Sequence, residues 1–430
     1  MKKLVVLFTF LWLGFAGFST AADISVGGEM FTLWLNRIDY DLDNDASGDV
    51  GMFRQDLELD FTFKLTDTVR GVIDLRTSNL LVNNAVDANN VMHVKQAYIG
   101  VKEFFYKPLS LKIGKQVLHY SLRGDGNALW LGYQSCNSLD NPGRDLAPVG
   151  FKGTFDYNNL SVDVFTVKYL ESAARTGDLD VYGLNVDYWL SEDSDSLINV
   201  GFGLVNDDNS AMPVYAMNTD KSMVGVFTAG VDYFLLDNAL ELAGEFGIQF
   251  GKLGEHTVDQ DLFACAFDLT VCYNFHTVRF APWLELSAAV RSGENDDNDK
   301  SGAWQALFEN NDKTLLVEAN NCISLYNLNS GYYAIRLAGG GKFTDKFSAK
   351  TIFAVYGDMT DDSLAANAVG VNTDDNMIGF EWDVCTKYSI TKNLFMCPNF
   401  GVFFPGSATE AAGQDSDPAI GFMFKTQLNF

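Results

Sequence analysis

RQDLELDFTFKLTDTVRGVIDLR, residues 54–76, places Leu57, Leu59, Phe61, Phe63 and Leu65 at every second position, with Asp56, Glu58, Asp60, Thr62 and Lys64 between them. After Thr66-Asp67-Thr68 the alternation resumes, Gly71, Ile73 and Leu75 against Arg70, Asp74 and Arg76. Apolar residues spaced by two would scatter around a helix of period 3.6, so the segment reads as two strands joined by a very short turn. One face is apolar and the other is charged. Charges facing a dry sandwich core would lose solvation without compensation, whereas a water-filled barrel accepts them.

Similar alternating segments recur to the end of the chain, including VGFKGTFDY, LELAGEFGIQF, FSAKTIFAVY and the terminal AIGFMFKTQLNF. In that last segment Ile420, Phe422, Phe424, Thr426, Leu428 and Phe430 share one face. About 18 strands of roughly ten residues can be counted, the span that a tilted strand needs to cross a bilayer. The connections alternate in length. Short turns near 67, 105, 159, 194, 237, 276, 344 and 391 alternate with long loops at 41–51, 79–91, 118–148, 171–178, 207–220, 253–259, 293–328, 359–375 and 405–416. The fold class predicted is all-β, a transmembrane antiparallel β-barrel of about 18 strands, with 16 the alternative count, and with both termini on the short-turn side.

Residues 1–22 read as a signal peptide: Lys2 and Lys3, an apolar stretch, then small residues from Ser19 to Ala22. Residues 23–430 then form one barrel with long loops. The full chain carries 56 acidic and 30 basic residues, a net charge of −26, which excludes a basic nucleic-acid-binding or membrane-surface protein. With 34 Phe, 17 Tyr and 38 Gly against 8 Pro, the composition favours strands over helices.

Assigning faces by alternation puts Arg54, Asp56, Glu58, Asp60, Arg70, Asp74, Arg76, Lys112, Arg279, Glu285, Arg291, Arg336, Glu381 and Asp383 in the lumen, with Asp156, Asp163, Asp187, Asp232, Glu241, Glu245 and Asp268 against Lys64, Lys152, Lys350, Lys387 and Lys425, so that it is mixed and slightly acidic. The longest early loop adds Arg123, Asp125, Trp130, Tyr133 and Arg144. Folded inward, it would narrow the lumen with charge and offer aromatic faces to a sugar ring; turned outward, it would be surface. The late loop, with Asp296, Asp297, Asp299, Trp304 and Phe308, carries the same two readings. DNDKSG (297–302) starts like a calcium loop, but Phe308 stands where the bidentate Glu belongs, so a solvated acidic loop is the better reading and no metal is assigned.

Six cysteines in an oxidising compartment could pair. Cys385 and Cys397 lie on either side of the turn near 391 and on one lumenal face, the best candidates for a cross-strand bridge; Cys136 and Cys322 are loop residues, and Cys265 and Cys272 face opposite ways. The four histidines (His93, His119, His256 and His276) form no HExxH or Cys/His cluster, and His119-Tyr120-Ser121 lacks the Ser-Asn that should follow in a barrel phospholipase motif. No enzyme and no cofactor is expected.

VKQAYIGV followed by LKIGKQ (94–116), with SGENDDNDKSGAWQALF (292–308), resembles porins of the alginate-export type. The resemblance implies a monomeric 18-stranded barrel and a uronic-acid polymer as solute. Here Glu309 follows the late motif with no nearby His, so that loop's role is not carried over, and a mixed lumen offers a polyanion no uniformly positive path. The expectation is an outer-membrane porin for passive diffusion of small hydrophilic solutes, monomeric or trimeric. The alternatives are a sugar- or oligosaccharide-selective channel, or a structural or adhesive surface barrel with a closed lumen. Outer-membrane lipid and lipopolysaccharide would surround it, and the alternating last strand ending at Phe430 resembles the signal read by the barrel assembly machinery.

Overall fold

A computed structural model describes residues 23–38, 50–82, 92–123, 128–131, 147–170, 178–191, 195–207, 221–254, 259–294, 299–307, 309, 313–318, 330–359, 376–408 and 417–430. Residues 1–22, read as a signal peptide, lie outside that set, as do Asp125, Tyr133, Arg144, Asp296, Asp297, Phe308, Cys136 and Cys322.

The strands are β1 (Asp23–Ile38), β2 (Val50–Lys64), β3 (Val69–Val82), β4 (Met92–Val101), β5 (Leu109–Lys115), β6 (Val149–Tyr157), β7 (Leu160–Leu170), β8 (Leu179–Trp189), β9 (Leu197–Asp207) and β10 (Ser222–Leu235). They continue with β11 (Leu240–Leu253), β12 (Gln260–Asn274), β13 (Trp283–Arg291), β14 (Lys300–Ser301), β15 (Tyr332–Lys342), β16 (Phe347–Asp358), β17 (Met377–Ser389), β18 (Leu394–Pro405) and β19 (Ala419–Asn429). Each wall strand pairs antiparallel with its neighbours in sequence, and β1 pairs with both β2 and β19. The barrel is therefore closed, with 18 wall strands. The two-residue β14 is the exception; it lies parallel to the start of β12, and β13 pairs directly with β15.

Closure follows from the solvent. In hydrocarbon an unpaired strand edge would leave a row of N–H and C=O groups without partners, and only a closed ladder removes the edge. At the seam Gly28 N–H donates to Phe430 O at 2.9 Å and Phe430 N–H returns to Gly28 O at 3.0 Å. Phe53, Ile73, Ile99, Phe151, Phe263 and Leu286 stand exposed on the outer face, while the alternate positions Arg54, Asp56, Asp74 and Arg76 are buried inside.

Three short turns share a device. In each, one threonine hydroxyl accepts from the second and third amides that follow: Thr66 from Thr68 and Val69, Thr344 from Lys346 and Phe347, Thr391 from Asn393 and Leu394, all at 3.0–3.2 Å. The short polar side chain replaces a missing ladder bond within a four-residue reversal.

The strand alternation fails at one informative place. Between Asp74 and Leu75 the β3–β4 register slips, leaving Lys95 without an opposite residue, and this bulge turns its ammonium inward. There it meets Glu58 Oε1 at 2.6 Å. Arg279, read as lumenal, instead lies on the exposed turn before β13, its guanidinium 4.7 Å from the Phe280 ring. Pro282 and the positive φ of Phe280 and Ala281 delay the strand until Trp283, so the alternation had been extended too far back.

A Cβ at Gly28 would lie 2.2 Å from the Glu58 carbonyl oxygen, whereas one at Gly51 meets nothing within 4 Å. Gly28→Val should destabilise the seam by about 1–3 kcal/mol, as overpacking does, and Gly51→Val should be near neutral. Urea titration of refolded barrels, read by the heat-modifiable gel shift, checks this; equal midpoints for the two variants would refute the seam constraint.

Candidate functional site: a lumen filled by two inward loops

The described parts of two long loops fold into the barrel. The wall that receives the first is not polar. On the long-loop half of β7 to β12, the inward positions include Phe165, Val167, Leu179, Val181, Val205, Val224, Val226, Leu253, Leu262, Ala264 and Ala266, with Gln249 a buried polar exception. Leu118, Leu129, Trp130 and Leu131 of one loop, with Trp304 and Leu307 of the other, complete that apolar cluster. Gly203 and Gly247 admit the indoles: a Cβ at Gly203 would sit 2.1 Å from the Trp130 ring, and one at Gly247 2.7 Å from Trp304. Trp130 is only 3% exposed and lies tilted against Phe165, ring centroids 6.0 Å apart, so it is a packing residue whose faces are closed to a sugar.

Polar anchors tie both loops to the wall. Leu129 N–H donates to Glu245 Oε2 at 3.1 Å. Gln249 on β11 clamps residue 305, donating to Gln305 O at 2.6 Å and accepting from Gln305 N at 2.8 Å. Arg291 reaches both Asp268 oxygens, at 2.9 and 3.0 Å, and Glu309 Oε1 at 2.8 Å, while Trp304 Nε1 donates to the other Glu309 oxygen at 2.9 Å. Burial raises the Glu309 carboxyl above its ordinary range, with Arg291 acting against that shift. The bend at 313–318 aims its amides at two wall carboxylates: Leu315 N–H at Asp383 Oδ2 (2.8 Å), Leu316 and Val317 N–H at the two oxygens of Glu381 (2.5 and 3.1 Å). Glu318 accepts from Lys313 and Thr314 amides and pairs with Arg336.

Of the remaining charged positions, Arg54 and Asp56 lie on the long-loop half of β2, whereas Arg123, Lys112 and Asp163 lie toward the short-turn half. Arg123 is the one described member of the early loop's charged set, since Asp125, Tyr133 and Arg144 lie outside the described residues. It leaves the loop to bridge two strands, bonding Glu241 on β11 and Glu285 on β13, the latter at 3.1 Å. Arg54 and Arg76 converge on Asp56 at 2.7 and 3.0 Å, and Asp74 is held by Gln96. Asp60 lies inside next to Asp74. Lys112 reaches over the Tyr98 ring at 5.2 Å, and Arg70 lies against Gly100 near the short-turn mouth. Lys152, Thr154 and Tyr120 converge on Asp163.

Glu245, Gln249, Glu309 and Glu318 stand outside the set of site residues that the sequence offers. Alternation marks the first two as inward but is silent on what they hold, and the last two are loop residues without a period. Cys385 lies opposite Asn399 rather than Cys397, and both thiols are free. Among the described residues no group of three or more His, Cys, Asp or Glu could hold a metal; Asp299 is described, but Asp297 is not.

No family model matches the chain, and no curated protein matches it. Solved structures do. OccK3 (OpdO) of Pseudomonas aeruginosa superposes with a TM-score of 0.59 at 11% identity, over 95% of this chain and 96% of that one. OccK11 (OpdR) of the same organism gives 0.57 at 11% identity over 95% and 96%, and Acinetobacter baumannii OccAB4 gives 0.56 at 12% over 95% and 98%. The fold is that of an outer-membrane porin. Such neighbours are channels rather than enzymes.

Removing an acceptor from a buried amide costs about 1–3 kcal/mol. Replacing Glu381 and Asp383 together by Ala should therefore release segment 313–318 and make it cleavable by thermolysin in a still heat-modifiable barrel, while Glu381→Gln, which keeps an acceptor, should stay resistant. Undiminished resistance in the double variant would show that apolar packing alone holds the loop.

Proposed function

We propose that this barrel is an outer-membrane channel for passive diffusion of small hydrophilic solutes. The observation that carries this reading is Arg123, held between Glu241 and Glu285 on the polar side of the loop packing. A guanidinium and two carboxylates fixed across three elements present opposite charges at short range, the arrangement that orients dipolar solutes and discriminates ions in a narrow passage. A fold shared with outer-membrane porins supports it. Export would use residues 1–22, and insertion by the assembly machinery would use the last strand ending at Phe430, which lies in the closing seam. Outer-membrane lipid and lipopolysaccharide would surround the barrel, as monomer or homotrimer.

Among selective solutes, a sugar loses the aromatic platform expected at Trp130, and the mixed lumen argues against the uronic-acid polymer implied by the alginate-export resemblance. The closed-lumen surface barrel is favoured by one observation, the apolar packing of both loops inside the wall.

Single-channel current of residues 23–430 in a planar bilayer under a salt gradient separates these readings. The porin reading expects steady ohmic steps, and Arg123→Ala, which leaves Glu241 and Glu285 uncompensated, should move the reversal potential toward the cation limit. No conductance from a folded barrel would favour the surface-protein reading; conductance with an unmoved reversal potential would place Arg123 off the ion path.

A further inference from the structure

At the short-turn end, beneath the bend held by Glu381 and Asp383, a cleft of about 740 Å³ opens between β15, β16, β17 and β18. Ladder geometry builds its inner surface. Lys350 on β16 lies opposite Cys385 on β17, which lies opposite Asn399 on β18; one step nearer the mouth, Ser348 lies opposite Lys387, and Cys397 lies opposite Lys425 on β19. Lys350 and Lys387 thus line the cleft, and Lys425 stands one strand beyond Cys397, outside the lining. None of the three has a carboxylate within ion-pair distance among the described residues, unlike the paired lumenal cations Arg54, Arg76, Lys95, Lys152 and Arg291. Instead Lys387 lies 4.3 Å from the Phe395 ring and Lys425 4.5 Å from the Phe31 ring, contacts that fix the cations without neutralising them.

Among the nearby acids, Glu29 accepts from Gln427 and Asp56 is held by Arg54 and Arg76, while one Asp383 oxygen has no hydrogen-bond partner among the described residues. Asp383, one row deeper, accepts from Leu315, and the rim residue Asp345 faces solvent beside Lys342. Asn399 Oδ1 accepts from Thr386 N–H, which leaves its amide N–H groups to donate, and Ser348 adds a hydroxyl. Among the described residues no arginine lines the cleft. Arginine's planar fork matches a carboxylate; converging lysines supply point charges suited to a compact, multiply charged tetrahedral anion.

We propose that this cleft binds a phosphate group through Lys350 and Lys387, with Lys425 adding positive charge from the adjoining patch beyond Cys397. Its volume exceeds that of a bare phosphate, so a phosphorylated small solute fits as well as the free ion. The inference goes beyond channel function and does not need an open pore, since the cleft can fill in a barrel that conducts nothing.

Cys385 and Cys397 line the same cleft and serve as built-in reporters. The refolded mature chain is alkylated with N-ethylmaleimide at constant ionic strength in chloride, acetate, inorganic phosphate or glycerol phosphate, and modification of the two thiols is followed by peptide mass spectrometry. With phosphate at ten times its dissociation constant, alkylation of both should slow about tenfold relative to chloride, because only about one site in ten stays empty. Protection by glycerol phosphate but not the free ion would assign a phosphoester; protection by both would assign the phosphate group alone. The Lys350→Gln, Lys387→Gln, Lys425→Gln triple variant should lose protection, and if it fails to refold, Lys387→Gln and Lys350→Gln singly carry the comparison. Equal rates in chloride and phosphate, equal protection by acetate, or protection that survives loss of the lysines would each overturn the proposal.

Discussion

Every backbone N–H and C=O that crosses hydrocarbon must find its partner within the wall, and in a sheet that demand is met only by closure. Closure rests on one condition at β1, which must pair on both sides at once. Gly28 and Phe430 meet at that joint, where the first and last strands exchange backbone bonds. With the ladder complete, the side chains outside need only be apolar, and those inside are free to serve the lumen.

Inside, two kinds of burial coexist. The long-loop half of β7 to β12 is packed like a soluble core, with indoles seated against glycines. Packing of that kind excludes water, so each amide carried inward needs an acceptor, and the wall supplies them as carboxylates: Glu245, Glu381 and Asp383 each accept from loop backbone. A charged acceptor makes a stronger bond than a neutral one, and it is better placed on a rigid strand than on the loop it holds. The acidic character of the lumen is therefore partly structural rather than a free field presented to a solute.

The barrel was legible because period two is unambiguous over a stretch such as residues 54–76, and the alternation of loop lengths set which end carries the short turns. Where the period was locally interrupted, the reading failed for physical reasons. Lys95 turned inward through a bulge that shows in sequence only as a lysine among outward apolar residues. Arg279 was assigned to a strand that begins four residues later, after a proline turn. Phe31, Leu33 and Leu35 are apolar yet face inward beside Met423, against any rule that equates apolar with lipid. Of the site, alternation gave direction but not partners: it could place Glu381 and Asp383 inside, not show that loop amides meet them, and the aromatic reading of Trp130 missed that an indole in a packed loop has no free face.

The threonine turns bear on how such a chain assembles. Each closes a hairpin whose strands meet within a few residues, so β2–β3, β15–β16 and β17–β18 can form from local contacts with little loop-closure entropy. The seam is the opposite case, since Gln427 and Glu29, which bond across it, are 398 residues apart. The edges of β1 and β19 can pair only after the rest of the sheet has curled far enough to bring them together, so of all the strand pairings the seam spans the longest sequence separation.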